Sequence, residues 1–114
     1  MSIRLSILVL FLTQAPAAMA LEWSDLWLTP DQQGQRLMQQ DKYRQAAEKF
    51  TTPERIGAAL FMAGEFESAA SVLGRSLSAE ANYNRGNALI MLGQYDAAIE
   101  AYQNTLSKRP GWQE

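Results

Sequence analysis

The 114-residue sequence contains no cysteine and no histidine. Disulfides, thiol nucleophiles, imidazole bases and the usual zinc sites are therefore excluded. Lys and Arg never form a run and the formal net charge is −2, so we expect no nucleic-acid partner. Catalysis would depend on carboxylates, Lys, Tyr or Ser alone, and we expect no enzyme activity and no bound metal or cofactor.

Two pairs of acidic residues are the remaining candidates for acid–base chemistry. Glu65 and Glu67 lie at the start of a predicted helix, and Asp96 and Glu100 are spaced to share one helix face. A glycosidase requires two carboxylates across a cleft in contrasting environments. Solvation and interaction with the helix dipole explain both pairs more simply.

Residues 1–20 have the pattern of a secretory signal. One positive charge, Arg4, precedes the short apolar run LSILVLFL (5–12), and Ala18-Met19-Ala20 is a small-x-small cleavage pattern. The alternative is an uncleaved membrane helix, which needs about 20 apolar residues. Gln14 and Pro16 interrupt the run early, which favours cleavage after Ala20.

Cleavage there would start the mature chain at Leu21. Loss of Arg4 would leave 10 − 1 = 9 basic residues against 12 acidic ones, a net charge of −3. We therefore expect a location outside the cytoplasm, in the periplasm of a bacterium. In the alternative interpretation, residues 1–20 anchor the chain in the inner membrane.

Three segments repeat one pattern. YRQAAEKF (43–50), GEFESAASVLGRSL (64–77) and GQYDAAIEAYQNTL (93–106) align on an aromatic residue and an alanine. The interval from an upstream glycine to that alanine is twelve residues in all three: Gly34 to Ala46, Gly57 to Ala69, and Gly86 to Ala98. The three glycines themselves are unevenly spaced along the chain, so the distance within a unit is constant while the linkers between units vary.

A glycine inside a helix costs roughly 0.5–1 kcal/mol relative to alanine, so it needs a compensating contact. We expect two antiparallel helices per unit, with Gly86 facing Ala98 where the helices approach closely. Tyr95 and Tyr102 would fill the space on either side of Ala98. The sequence therefore predicts an all-α array of about three helix-turn-helix hairpins after the N-terminal segment.

The predicted helix boundaries agree with this pattern. Thr29-Pro30 and Thr52-Pro53 each place a capping residue before a proline at the first helical position, and Gln32 completes a capping box. Ser78 can cap the helix that begins at Ala79, and Gly93 can end it. No stretch alternates polar and apolar residues, so we expect no β-sheet.

Residues 79–112, AEANYNRGNALIMLGQYDAAIEAYQNTLSKRPGW, resemble a complete tetratricopeptide repeat. Asn82 and Thr105 depart from the usual pattern of this family. The matching positions are Gly86, Tyr95, Ala98, Tyr102 and Pro110. On this basis the chain divides into a signal peptide or anchor (1–20), a Trp-containing lead-in (21–28) and a repeat domain (29–114) with units 29–51, 52–78 and 79–112.

The resemblance implies that the first helix of each unit lines a concave groove that binds a protein or peptide. Asn84 and Asn87 are three residues apart and share a helix face, so their amides could bind an extended peptide backbone; the alternative is simple solvation. Arg55 could anchor a carboxylate or be an ordinary surface residue. The predicted groove residues are Arg55, Met62, Tyr83, Asn84, Asn87 and Met91.

A narrower resemblance comes from WSDLWLTPDQQGQRLM (23–38), the short Tyr-x-x-Ala-Ala unit, and YNRGNAL (83–89). These segments resemble the repeat part of the proteins of the bacterial aerotolerance operon, many of which carry a von Willebrand A domain and a membrane helix. The sequence has no Asp-x-Ser-x-Ser, so no metal-dependent adhesion site is assigned. The chain would be a stand-alone secreted relative or a fragment of a larger protein, in a complex involved in stress tolerance.

Tryptophans lie near both ends of the predicted array. Trp23, Leu26 and Trp27 could dock on a membrane interface or, as we favour, cover the open end of the first helix pair. Trp112 poses the same question at the other end, where we expect the outer face of the last pair to be uncovered. We therefore expect a non-catalytic interaction module outside the cytoplasm; alternatives are a membrane-anchored assembly segment and, more remotely, a carboxylate enzyme.

Overall fold

The computed structural model describes residues 26–109, which form six α-helices arranged as three successive hairpins. Each helix packs against the next along the chain, and the first helices of the second and third hairpins also touch. The prediction of an all-α array without a sheet is confirmed for these residues. The helices are α1 (Pro30–Gln39), α2 (Tyr43–Lys49), α3 (Pro53–Met62), α4 (Phe66–Leu73), α5 (Ala79–Met91) and α6 (Tyr95–Lys108).

The first helix of every hairpin begins at the predicted cap. The Thr29 hydroxyl accepts a hydrogen bond from the backbone N–H of Gln32, whose side chain accepts from the Thr29 N–H in return. Thr52 and Ser78 also accept from a backbone N–H three residues further on. These caps satisfy N–H groups that have no partner within the helix.

The turn inside each hairpin has a residue in the left-handed conformation. Gly64 and Gly93 have φ angles of 79° and 74°. Each belongs to a Schellman motif, in which the N–H groups of the glycine and of the next residue donate to carbonyl oxygens three and five residues back. Asp41 takes the same role in the first hairpin with φ 59°. Gly93 therefore ends α5 as predicted, whereas the equivalent role of Asp41 was missed because aspartate is an uncommon residue in this conformation.

The three interior glycines are buried, and the atoms closest to an ideal Cβ on each belong to a larger side chain of the following helix. A Cβ atom on Gly86 would lie 2.5 Å from a ring carbon of Tyr102, four residues beyond Ala98. The larger side chain one turn beyond Ala98 therefore covers the glycine, while the closeness of Gly86 to Ala98 itself stays a prediction. Phe50 covers Gly34 and Leu73 covers Gly57 in the same way, while Ala46, Ala69 and Ala98 are buried beside these contacts.

The hydrophobic core consists of clusters that join neighbouring hairpins. One cluster combines Phe50 of the first hairpin with Ala59 of the second. Another combines Leu73 of the second hairpin with Ala81 and Ala88 of the third. Alanines at these contacts let the helices approach closely, as in other repeat architectures in which each unit stabilises its neighbours.

Both departures from the repeat pattern bond to helix backbone. Asn82 is buried, and its amide donates to the Ser78 carbonyl oxygen at 2.9 Å. The buried Thr105 hydroxyl is 3.1 Å from the Ala101 carbonyl oxygen and 3.3 Å from that of Ala79. The Thr105 side chain thus connects the end of α6 to the start of α5, and neither residue leaves a buried polar group unsatisfied.

Leu26 and Trp27 of the lead-in do not cover the first hairpin. Leu26 and Trp27 are 72% and 82% exposed, so the expectation that they close the open end is wrong for these two residues. Within residues 26–109 no helix is long and apolar enough to cross a membrane. The predictions for the signal or anchor (1–20), Trp23, Pro110 and Trp112 lie outside the described residues.

Candidate functional site

The first helices of the three hairpins carry two cavities that meet at Ala58. The smaller has a volume of about 180 Å³ and lies between α3 and α5. The larger, about 430 Å³, lies between α1 and α3. Because both cavities include residues of α3, that helix forms the floor shared by the two parts of the groove.

The smaller cavity brings together three of the predicted groove residues. Met62 comes from α3, and Asn84 and Asn87 lie one turn apart on α5. Phe61 and Ala58 complete the lining, so apolar surface from one helix faces two side-chain amides from the next. This arrangement can accept a small apolar side chain while an amide bonds to the accompanying backbone.

Asn87 is tied to the core of its own hairpin. Its Oδ1 atom accepts a hydrogen bond of 2.6 Å from the hydroxyl of Tyr102, the residue that covers Gly86. Asn87 therefore belongs both to the groove lining and to the hydrogen-bonded packing of its hairpin. Asn84 is half-buried, and its side chain makes no hydrogen bond within residues 26–109, so its amide is open to a ligand.

Tyr83 lies beside Tyr102 instead of lining either cavity. The two ring centroids are 5.9 Å apart with an interplanar angle of 49°. Burial, followed by the proximity of Tyr83, raises the pKa of Tyr102, which keeps its phenol protonated as a donor to Asn87. Tyr83 therefore contacts Tyr102, and 44% of its surface is exposed.

Arg55 lines the larger cavity and already has a partner. Its guanidinium lies 3.1 Å from a carboxylate oxygen of Asp31 on α1. The other oxygen of Asp31 accepts hydrogen bonds from the backbone N–H and the hydroxyl of Thr51, both at 3.0 Å. A ligand carboxylate would therefore compete with Asp31 for Arg55, which makes this arginine a weaker anchor than a free one.

Met91 lies at the end of α5 and lines neither cavity, although it is exposed. The sequence also pointed to groove residues that were missed in the first hairpin. Asn84 and Asn87 stand two residues before and one after Gly86, and the same offsets from Gly34 identify Gln32 and Gln35. Both glutamines line the larger cavity, so each end of the groove has a pair of side-chain amides.

The acidic side chains within residues 26–109 make contacts that can be assigned individually. No group of three or more could hold a metal ion in this part of the chain. Glu65 pairs with Arg44 at 3.2 Å. Glu54 accepts hydrogen bonds from the hydroxyls of Ser76 and Ser78, and these donors lower its pKa. Each contact joins successive hairpins, which is a structural role.

Residues 79–111 match the family model of the tetratricopeptide repeat. The matched segment contains α5 and α6, the glycine contact with Tyr102, and Asn84 and Asn87. Repeats of this family are typically non-catalytic modules that bind protein partners. No curated protein matches the chain.

Proposed function

We propose that this protein is a non-catalytic scaffold that binds an extended segment of a partner protein in the groove of its first helices. The observation that carries the proposal is the smaller cavity, where the apolar side chains of Phe61 and Met62 face the amide of Asn84. An extended peptide needs both surfaces, because its side chains seek apolar contacts while its backbone needs hydrogen-bond partners. The absence of histidine and cysteine from the sequence supports a role without catalysis.

The proposed contacts divide between the two cavities. Met62 offers a flexible apolar contact and Asn84 an amide, while Gln32 and Gln35 offer amides at the other end. Arg55 contributes a positive charge that is shared with Asp31. We therefore propose a partner segment with an apolar side chain of modest size for the smaller cavity and polar groups toward α1.

Photo-crosslinking in the native host tests the groove. A photoreactive amino acid at Met62, which is 53% exposed, should yield a discrete crosslinked protein. The matched control places the same group at Gln103, an exposed position on α6 away from both cavities. Asn84→Ala should reduce the Met62 crosslink by about tenfold, because a desolvated backbone group would lose its partner. Equal crosslinking at Met62 and Gln103 would rule out the groove.

We also propose that the protein acts outside the cytoplasm. The support is the charged, apolar and small-x-small order of residues 1–20. Mass spectrometry of protein from the native host should find Leu21 as the first residue. An intact N-terminus in the membrane fraction would instead support a membrane-anchored protein.

The second candidate is an assembly segment of a larger von Willebrand A and tetratricopeptide complex involved in aerotolerance. It rests on the resemblance of WSDLWLTPDQQGQRLM (23–38) and YNRGNAL (83–89) to that group. The Met62 crosslink distinguishes the two, because this candidate requires the captured protein to carry a von Willebrand A domain. Capture of a protein without that domain would agree with the scaffold proposal and would rule out the aerotolerance complex.

A further inference from the structure

Three apolar positions recur at fixed distances after each interior glycine: four, nine and thirteen residues further along the chain. They lie on the side of each hairpin that faces the next one. The residues are Met38, Tyr43 and Ala47 in the first hairpin, Phe61, Phe66 and Ala70 in the second, and Ile90, Tyr95 and Ile99 in the third.

In each of the first two hairpins, two of the three residues pack against a cluster that also contains residues of the following hairpin. Met38 and Ala47 contact a cluster that contains Ala59 of α3. Phe61 packs in the same way against a cluster that contains Ala88 of α5. Each of these clusters therefore includes an alanine of the following hairpin that has no exposed surface.

The third hairpin has the same positions without a cover in residues 26–109. Ile90 is 42% exposed, Tyr95 64% and Ile99 54%, whereas the equivalent residues of the first two hairpins are half-buried. We call Ile90, Tyr95 and Ile99 the end face. Its side chains continue the established interface between hairpins, with isoleucine where the preceding hairpin has Ala70.

The side of α1 that faces away from the second hairpin differs in residue type from the matching side of α3. Gln33 and Arg36 occupy the positions at which α3 presents Ile56 and Ala59 to its neighbour. A helix pair cannot stack there in the same way, because the Arg36 side chain takes the place of a buried alanine. The first hairpin of a second copy is therefore a poor match for the end face, and head-to-tail stacking of copies is disfavoured.

Charge at the first interface between hairpins indicates which side chain would suit the end face. Arg44 of α2 pairs with Glu65, which follows Ala59 by six residues, so this ion pair crosses the first interface between hairpins. Asp96 occupies the position of Arg44 in the third hairpin and has the opposite charge. The complementary group on a neighbour would therefore be Lys or Arg, six residues after its alanine.

We propose that the end face binds a helix of a partner protein that presents an alanine to Ile90 and Ile99 and a basic residue to Asp96. The helix would follow the path that α3 takes across the first hairpin. This site is separate from the groove, because it uses the outer side of the last hairpin. The two surfaces would allow the protein to hold two partners at once.

A synthetic peptide based on α3 provides the probe. It has the sequence of residues 52–65 with Glu65→Lys, and a lactam bridge between exposed positions keeps it helical. Binding to the full chain is measured by fluorescence anisotropy. Ile99→Gln in the protein and Ala59→Arg in the peptide should each weaken binding about tenfold or more. Each substitution removes the apolar contact between Ile99 and the alanine, and with it the free energy gained by burying an aliphatic side chain.

Two further variants test whether the peptide binds specifically at the end face. Leu77→Gln is the matched control, because Leu77 is 81% exposed at the opposite end of the last hairpin, and it should leave the affinity unchanged. Asp96→Asn should weaken binding about two- to fivefold at low salt, as expected for an exposed ion pair. An unchanged affinity for Asp96→Asn would overturn the assignment of the basic residue.

Other outcomes overturn the proposal itself. One such outcome is the lack of saturable binding at peptide concentrations up to about 1 mM, since a dissociation constant above this value indicates only weak association. The other is peptide binding that Ile99→Gln does not weaken. Sedimentation of the full chain without peptide tests whether a second copy of the chain covers the end face. A dimer that Ile99→Gln dissociates would identify a second copy, instead of a partner helix, as the molecule that covers the end face.

Discussion

The ring of Tyr102 occupies the space that a side chain on Gly86 would need. An ideal Cβ atom on Gly86 would lie 2.5 Å from Cε1 of that ring. The Tyr102 hydroxyl reaches past the glycine to Asn87, one residue further along α5. One tyrosine thus joins the packing of the hairpin to the side of the helix that lines the groove.

Gly86→Ala should lower the free energy of unfolding by about 1–3 kcal/mol, because the added methyl group overlaps Tyr102 and must displace it. Chemical denaturation followed by circular dichroism measures the loss. Gly74→Ala is the matched control: Gly74 has an ordinary negative φ, and an added Cβ would meet no atom closer than 3.4 Å. Equal stabilities for the two variants would disprove the close contact.

Asn87→Ala should lower stability by about 1 kcal/mol, since it leaves the Tyr102 hydroxyl without its partner. Asn84→Ala should not change the melting temperature, because Asn84 makes no such bond within residues 26–109. A double-mutant cycle with Tyr102→Phe should give a coupling of about 0.5–1.5 kcal/mol. Zero coupling would show that the bond does not stabilise the hairpin.

Asp41→Gly should raise stability by about 0.5–1 kcal/mol, because Asp41 adopts the left-handed conformation that the other two hairpins assign to glycine. The substitution also removes the 2.8 Å hydrogen bond from the Tyr43 hydroxyl, so Tyr43→Phe is needed to measure that exposed bond separately. Gly64→Ala should have the opposite effect, about 1 kcal/mol of destabilisation, although the surrounding space is open. Thermal melts of all three variants check the prediction.

Glu54 should make stability depend on acidic pH. Hydrogen bonds from Ser76 and then Ser78 lower its carboxyl pKa in the folded chain. Its stabilising contribution is therefore fully present above the unfolded pKa of about 4.3 and is lost as the pH falls through the lower folded value. Melting temperatures of the parent and Glu54→Gln should differ at pH 7 and converge only as the pH falls below the lowered pKa of Glu54.

Glu48→Gln is the control for this titration. Glu48 is exposed on α2 and makes no hydrogen bond within the described range, so its removal should leave the pH profile of the parent unchanged. If Glu54→Gln also follows the parent profile at every pH, the link between α3 and the start of α5 contributes nothing to stability.

The local features of the fold were readable from the sequence. Thr29, Thr52 and Ser78 cap their helices as predicted, and Gly93 ends α5. The glycine-to-alanine spacing correctly predicted hairpins. All of these depend on hydrogen bonds or helical periodicity within a few residues, and such short-range preferences are encoded directly in residue type.

The side-chain contacts of the groove residues could not be predicted from the sequence and are seen only in the folded chain. Positional equivalence placed Met62, Asn84 and Asn87 on groove-lining helices, and these three line one cavity. The same reasoning could not show that Asn87 is bonded to Tyr102, or that Arg55 is paired with Asp31 of the preceding hairpin. Those contacts depend on which rotamers fit between helices from different parts of the chain.

The order of residues alone is enough to make this protein a series of helical hairpins, because caps, turn residues and glycine spacing act within each unit. The packing of the hairpins selects the side chain that covers each glycine and leaves certain apolar residues without a neighbour. Ile99 and Ala70 occupy equivalent positions, yet only Ile99 is exposed, because burial depends on whether another hairpin packs on that side. Such a contact belongs to the assembled array, and no single repeat specifies it.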